Sequence, residues 1–332
     1  MSHMYKPGYE KIQEHIKTLE KQNWLTPVQK IWPRYLFHFT ELSNVINILT
    51  GGALLSRELL KEKKISSIDI ASPHIIEHTP QEWKNYVRLY FRPKTPTQYR
   101  NEGIRSKNEM TLDAHCPIPV MLVFDAFKVL VLESTYISNG NLCAQGVEVD
   151  NSVDFYLKLP FEFIYHDKGF SRLNEAEQNK IKFHRHAEVL IRDSLGLSFL
   201  EFICCRSNAE YQTLIHRLPE NVQGKWSGKI RIDQKAFLFF CEWVYIKEVK
   251  LSSERIIFEF NQRPSASFSA RLEIEECQTN KQYLWEEKNF CPPGIKEFDL
   301  STMKHPECYK VSFFLDEHLA FQAVHREESG IF

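Results

Sequence analysis

The chain has 332 residues, of which 43% are hydrophobic and 26% are charged, and this composition is that of a folded globular protein rather than a disordered or fibrous one. Its formal net charge of −1 excludes a protein that is basic over its whole surface, so nucleic acid could bind only through a local basic patch. No apolar run reaches the roughly 18–20 residues of a membrane-spanning helix, and no signal peptide is recognisable, which predicts no membrane partner and a cytoplasmic location.

The first third of the chain predicts a helix, a strand and a second helix. Residues 8–30 are expected to be helical because three apolar residues recur at helical spacing, namely Ile12, Ile16 and Leu19. A strand is expected at Tyr35–Phe39. The next helix, in "LSNVINILTGG", is expected to be capped by Thr40 or Ser43 and to end at the double glycine.

The middle of the chain predicts short strands and helices. A lysine-rich loop with one short helix is expected over 61–83, followed by a strand in "NYVRLYFRP", a helix in "TPTQYRNEG" and an apolar strand in "PVMLVFDA". The Asn-Gly pair makes "YISNGNLC" typical of a turn. The stretch "LNEAEQNKIKFHRHAEVLI" is expected to begin as a helix and to end as a strand.

After about residue 225 the pattern changes to short segments in which apolar and polar residues alternate. These segments are "GKIRID", "FLFFCEWVYIKEVKL", "RIIFEF", "SFSARLEIEE" and "CYKVSFFLD". Alternation with a period of two predicts strands, and hence a second, sandwich-like all-β domain. We therefore expect an α+β protein with an N-terminal helical segment at 5–33, a mixed domain at 34–224 and an all-β accessory domain at 225–332.

Eight cysteines are spread along the chain without a CxxC pair, and Cys204 and Cys205 are adjacent. Adjacent cysteines suit neither a disulfide nor a shared zinc ion. We therefore expect reduced thiols in the core and no metal.

The predicted strand at Tyr35–Phe39 carries the first candidate site. Side chains alternate along a strand, so His38 and Thr40 should share one face. By itself this pattern favours a half-buried strand with a satisfied histidine. The alternative is that the imidazole and the hydroxyl contact a ligand, such as ribose hydroxyls or an amide.

A basic and aromatic segment forms the second candidate site. Its cations are Lys84, Arg88, Arg92, Lys94 and Arg100. The interleaved aromatic residues are Tyr86, Tyr90, Phe91 and Tyr99. Single-stranded nucleic acid binds to such a combination because cations meet phosphates and rings stack on bases. A solvated basic surface is the alternative.

The third candidate is Glu188, which begins the apolar strand "EVLI". A carboxylate among apolar residues is costly unless it is paired or has a chemical function. Pairing with His184, Arg185 or His186 is the alternative to a catalytic role.

In this order the three stretches resemble the DarT family, bacterial toxins that ADP-ribosylate bases of single-stranded DNA with NAD. "FHFTELSNVINILTGGALLS" resembles the family's His-x-Thr-His-x-x-Asn-Leu-x-x-Ile-Leu-x-x-Gly-Leu-Leu opening. "VRLYFRPKTPTQY" is similar to its Val-Pro-Phe-Tyr-Phe-x-Pro-Arg-Ser-Pro-Met-Leu-Tyr segment, and "KFHRHAEVLI" to its Lys-Arg-Gln-Ala-Glu-Phe-Leu-Val strand. The resemblance, over roughly 34–215, implies an ADP-ribosyltransferase fold related to the PARP-like enzymes.

The resemblance also implies roles for residues. Glu188 would be the catalytic glutamate, and NAD would be the co-substrate without a metal. The implied cofactor-binding residues are His38, Thr40, Asn44, Leu54, Tyr90, Phe91 and Tyr99. Single-stranded DNA, favoured over RNA, would meet the cations of the basic segment.

Two positions depart from the family pattern. The second histidine of the opening motif is Glu41 here, and the family's arginine before the aromatic strand has Lys64 as its nearest counterpart. Lysine keeps the charge that a catalytic or phosphate contact needs but loses the bidentate fork of arginine. The acceptor could therefore be RNA or guanine. A non-catalytic nucleic-acid-binding protein, and an antitoxin or chaperone bound to the β domain, are further alternatives.

Overall fold

A computed structural model describes residues 4–69, 77, 80–106, 109, 115–234, 237–261 and 267–327. The short helix predicted within 61–83 lies partly outside these residues. Two compact units are found. Unit 1 comprises Met1–Phe39, Asn47–Tyr99 and Met121–Ile203, and unit 2 comprises Thr40–Ile46, Arg100–Val120 and Cys204–Phe332.

The helices are short. In chain order they are α1 (Glu10–Leu19), α2 (Leu42–Gly51), α3 (Arg57–Glu62), α4 (Pro96–Asn101), α5 (Ala126–Leu130), α6 (Val153–Leu157), α7 (Phe161–Ile164), α8 (Glu175–His184), α9 (Asn208–Arg217) and α10 (Glu220–Trp226). Among the described residues, no helix has the length and apolar character that crossing a membrane requires.

Seventeen strands are found in the described part of the chain. The first nine are β1 (Tyr35–Glu41), β2 (Ala53–Leu55), β3 (Tyr86–Tyr90), β4 (Pro119–Asp125), β5 (Thr135–Ser138), β6 (Val149–Asp150), β7 (Glu188–Arg192), β8 (Ser194–Gly196) and β9 (Leu200–Cys205). The remaining eight are β10 (Ile230–Ile232), β11 (Ile246–Leu251), β12 (Arg255–Phe260), β13 (Phe268–Glu276), β14 (Gln282–Phe290), β15 (Ile295–Asp299), β16 (Cys308–Leu315) and β17 (His318–Arg326).

The main sheet brings the predicted candidate strands side by side. Within it, strands follow one another in the order β9-β4-β1-β3-β7-β5-β6. Strand β3 pairs antiparallel with both β1 and β7, and Tyr90 lies opposite Glu188. The predicted strand containing His38, the aromatic strand and the glutamate strand are thus three neighbours, although they are far apart in sequence.

Unit 2 contains two antiparallel sheets, with the orders β11-β12-β15 and β14-β13-β16-β17. Their apolar residues form one core in which aromatic rings from both sheets touch. The ring centroids of Phe258 and Phe313 are 4.9 Å apart, and those of Trp285 and Phe298 are also 4.9 Å apart. The expected sandwich-like all-β region is confirmed, and β14, β15 and β17 are strands that the sequence patterns missed.

Some predicted boundaries were wrong. The first helix ends at Leu19 because the buried stripe ends there, and a 3-10 helix follows at Gln29–Arg34. Helix α2 ends at the double glycine as expected, and Gly52 has φ +77°. Its first turn is capped by neither predicted residue, since the Ser43 N–H donates to the Glu41 carboxylate at 2.5 Å.

The long strand predicted in "FLFFCEWVYIKEVKL" begins only at Ile246. The backbone N–H groups of Phe240 and Cys241 donate to the buried Glu102 carboxylate at 3.0 and 2.7 Å, so they are bonded to a side chain instead of a neighbouring strand. The domain boundaries at 33/34 and 224/225 remain a prediction, and unit 2 already includes the chain from Cys204.

Candidate active site around Glu188

Glu188 is a buried carboxylate held at the start of β7. Only 3% of the residue is exposed, and its Oε2 atom lies 3.6 Å from Nε of Arg88 on β3. Oε2 has no hydrogen-bond partner among the described residues. Burial raises the pKa of Glu188 to about 7, and the positive charge of Arg88 opposes this rise. The carboxylate is therefore close to its titration point at neutral pH and has one oxygen available for another donor.

Arg88 is a different partner for Glu188 from the ones that the sequence suggested. Arg185 lies 3.9 Å from Asp167, and Nδ1 of His184 is 2.6 Å from the Asn139 carbonyl oxygen. Arg185 and His184 are thus directed to other groups, while Arg88 reaches Glu188 from the adjacent strand.

Ser138 and Gly140 support Glu188, and the sequence patterns did not identify either residue as part of the site. The Glu188 N–H donates to Oγ of Ser138 at 3.0 Å, and the Ser138 hydroxyl donates to the Gly140 carbonyl at 2.8 Å. A Cβ on Gly140 would lie 2.3 Å from the ring of Phe183. The Asn-Gly signal in "YISNGNLC" indicated the turn, but it did not indicate that this turn holds the catalytic candidate.

His38 is fixed on β1 through the backbone of Arg88. Its Nδ1 lies 3.0 Å from the Arg88 carbonyl oxygen, and a carbonyl only accepts, so Nδ1 carries the hydrogen. Burial lowers the pKa of His38, which favours the neutral ring, although the bond to Arg88 opposes this shift. In this tautomer Nε2 is an acceptor that a ligand hydroxyl can meet.

Thr40 and Asn44 contact each other through their side chains. Thr40 is buried, and its Oγ1 accepts a hydrogen bond from Nδ2 of Asn44 at 3.0 Å. Glu41, which departs from the family pattern, is buried and caps α2 through Ser43; burial raises the pKa of Glu41. The acidic residue at this position therefore has a local structural role.

The predicted aromatic and apolar contacts occupy different environments. Burial, with the nearby Glu188 charge, raises the pKa of Tyr90, so its phenol stays protonated at neutral pH. Phe91 is 2% exposed and packs edge-to-face against Phe161, so it belongs to the core. Leu54 is buried opposite Leu195 in the small β2–β8 sheet, whereas Tyr99 is 47% exposed.

The prediction that Arg92 contacts nucleic acid was wrong. Arg92 is 1% exposed and is paired with Asp167 at 2.5 Å. Its guanidinium also donates to backbone carbonyls and lies over the ring of Trp32. Burial lowers the pKa of Arg92 to about 10, which leaves it charged at neutral pH. Arg92 is thus a buried structural cation, enclosed by the fold and unable to reach a phosphate.

The other predicted cations are more accessible. Lys84 and Lys94 are half-buried, and Arg100 is exposed. Lys64 is exposed after the end of α3, with φ 54°, and its N–H donates to the Lys61 carbonyl. No contact described for Lys64 joins it to Glu188. Within the described residues, no group of His, Cys, Asp and Glu side chains is placed to hold a metal ion.

A comparison with protein families gives one assignment. The model of the family DarT, described as ssDNA thymidine ADP-ribosyltransferase, matches residues 37–240, which is more than half of the chain. The chain belongs to the DarT family. It is an ADP-ribosyltransferase that moves ADP-ribose from NAD to a base of single-stranded DNA. Residues 241–332 lie outside the match.

Solved structures of DarT proteins are also similar to this chain. DarT of Thermus sp. 2.9 in complex with ADP-ribosylated ssDNA is 18% identical, with 63% of this chain and 97% of that chain covered and a TM-score of 0.48. The structure of the same protein with NAD+ is 14% identical and has a TM-score of 0.46, and the match covers 62% of this chain and 98% of that chain. Thermosipho africanus DarTG in complex with ADP-ribose is 14% identical and has a TM-score of 0.43, and the match covers 66% of this chain and 53% of that chain. Among curated proteins, no sequence matches the chain.

Proposed function

We propose that Glu188 is the catalytic carboxylate of this DarT protein and that thymine in single-stranded DNA is its acceptor. The observation that carries the proposal is the buried Oε2 of Glu188, which lies beside Arg88 and has no hydrogen-bond partner among the described residues. A buried polar atom of this kind is costly unless a ligand completes its contacts.

NAD supplies an ADP-ribosyl group whose bond to nicotinamide is already weak. Tyr90, which lies opposite Glu188, is suited to hold the ribose or the carboxamide of NAD, because its protonated phenol donates a hydrogen bond. His38 follows Phe37, the residue opposite Tyr90, and remains a predicted contact to NAD. Thr40 and Asn44 remain predicted contacts to the same molecule, as do Leu54, Phe91 and Tyr99.

Glu188 has two tasks in the transfer. Its negative charge stabilises the positive charge that develops on the ribose as the bond to nicotinamide breaks. It then accepts the proton that the base nitrogen loses when that nitrogen bonds to C1′, and nicotinamide leaves as a neutral molecule. A pKa of about 7 suits this general-base step at neutral pH.

The acceptor is proposed from the family description, which names thymidine. Only an unpaired base exposes its pairing nitrogens, which explains why a single strand is the substrate. Lys84, Lys94 and Arg100 remain predicted contacts to the strand, and Lys64 remains the predicted counterpart of the family's arginine.

A toxin role in the cytoplasm, with an antitoxin as partner, is part of the proposal. It is supported by the family and by the name DarTG of a similar Thermosipho africanus protein. Strand β14 ends one sheet of unit 2, and its Leu284 is 63% exposed. Such a strand edge can accept a strand from an antitoxin or chaperone.

The test uses labelled NAD with three oligomers: single-stranded DNA with thymine, the same DNA without thymine, and RNA. We expect label only on the thymine-containing DNA. Glu188→Gln should reduce transfer by about 10²–10⁴-fold, because the charge and the base are lost together. Glu201→Gln, which changes a partly exposed glutamate that pairs with Lys128, is the matched control. Full transfer by a folded Glu188→Gln protein would contradict the assignment, and label on RNA would change the acceptor.

A further inference from the structure

Arg88 occupies a defined position relative to Glu188. Tyr90 lies directly opposite Glu188 in the β3–β7 pair, and Arg88 lies opposite Leu190. Alternation along each strand therefore places Arg88, Tyr90 and Glu188 on one face of the sheet, with Arg88 diagonal to the carboxylate. The sheet itself, rather than a loop, determines where the guanidinium lies.

The contact between the two groups is an ion pair without a hydrogen bond. The distance from Nε to Oε2 is 3.6 Å, which exceeds the usual range of an N–H···O hydrogen bond. The side chain of Arg88 is 25% exposed and that of Glu188 is 4% exposed. The interaction therefore takes place mostly away from water, where it is stronger than at the surface. It also leaves Oε2 available to the reacting molecule.

The other groups around Glu188 cannot replace this charge. Tyr90 on β3 is a protonated phenol, and Ser138 on β5 is a neutral hydroxyl whose oxygen accepts from the Glu188 backbone. His38 on β1 is neutral and bonded to the Arg88 carbonyl. Among the described residues, Arg88 is the cation that acts on the Glu188 carboxylate.

We propose that Arg88 is a positioning residue for ADP-ribosyl transfer, which keeps the Glu188 carboxylate ionised and oriented for the reacting ribose. The inference rests on the proposed catalytic role of Glu188. It replaces the sequence-based expectation that Arg88 binds nucleic acid.

The experiment measures kcat and KM for the thymine-containing strand between pH 6 and 9.5. In Arg88→Met, we expect kcat at pH 7 to fall about fivefold while KM for DNA is unchanged, because the ionised fraction of Glu188 falls from about one half to about one tenth. The acidic limb of the pH profile should move up by about one pH unit, because the carboxylate loses its neighbouring cation. Activity should recover at high pH. Arg88→Lys should retain most of the wild-type profile.

Arg192→Met is the matched control, because Arg192 is an exposed arginine on β7. A rise in KM for DNA with an unchanged pH profile would make Arg88 a DNA contact and overturn the inference. Unchanged kinetics in folded Arg88→Met would also overturn it. Glu188→Gln is measured in parallel. If that variant keeps full activity, the proposed catalytic role of Glu188 is wrong. If it is inactive while Arg88→Met behaves as wild type, only the proposed role of Arg88 is wrong.

Discussion

Replacing Arg92 with methionine tests whether this cation is structural. The change keeps an unbranched side chain of similar length but removes the charge and all five N–H donors. In the wild type, the guanidinium pairs with Asp167 and donates to the backbone carbonyls of Pro93 and His166. All of these donors are lost together, in a place where only 1% of Arg92 is exposed.

The cost follows from what the substitution leaves behind. Removing one partner of a buried ion pair costs about 3–5 kcal/mol, because the other partner stays desolvated. Asp167 is 34% exposed, so water can solvate part of its carboxylate. The backbone carbonyls have less access to water and lose their donor. We therefore expect the free energy of unfolding to fall by about 2–4 kcal/mol, a large share of the roughly 5–15 kcal/mol of a typical domain.

The assay is urea unfolding of the purified variant, followed by binding of single-stranded DNA to the folded fraction. Arg100→Met is the matched control, because Arg100 is the exposed cation of the same segment. It should keep the stability of the wild type and weaken DNA binding, with a smaller dependence on salt. A loss of stability below about 1 kcal/mol in Arg92→Met, together with weaker DNA binding, would refute the structural role of Arg92.

Two further predictions concern packing and pH. Gly140→Ala should lower the free energy of unfolding by about 1–3 kcal/mol, because the new Cβ would be 2.3 Å from Phe183 and the ring would have to retreat by about 1 Å. Adding Phe183→Ala should remove most of this penalty in a double-mutant cycle, and simple additivity of the two changes would contradict the clash. Burial lowers the pKa of His115 to about 4, and the nearby His318 adds to this shift. In the unfolded chain the histidine has a pKa of about 6.5, so on acidification it is protonated at a higher pH than in the folded protein. The free energy of unfolding should therefore fall as the pH drops from about 6.5 to 4. Urea unfolding at pH 5 and 7 should show a weaker pH dependence in His115→Phe, and an identical dependence would exclude this histidine as the cause.

The site illustrates how far local patterns predict structure. The strand containing His38, the aromatic strand ending at Tyr90 and the strand beginning at Glu188 were all predicted, and the structure makes them neighbours. These features depend on a few consecutive residues, so the sequence carries them directly.

The partner of each charge could not be predicted in the same way. Arg88, Arg92 and Arg100 lie in one short basic segment, yet one pairs with Glu188, one is enclosed with Asp167 and one is exposed. Glu188 was expected to pair, if at all, with Arg185 or a histidine beside it.

The sequence by itself therefore determined the family, the three strands that carry the candidate site and the residues around which a site could form. Only the tertiary structure decided which cations are buried, that Arg88 is the partner of Glu188, and that Ser138 supports it across 50 residues of sequence. The physical reason is that burial and ion pairing depend on which strands lie side by side, and that arrangement is a property of the whole sheet rather than of any segment.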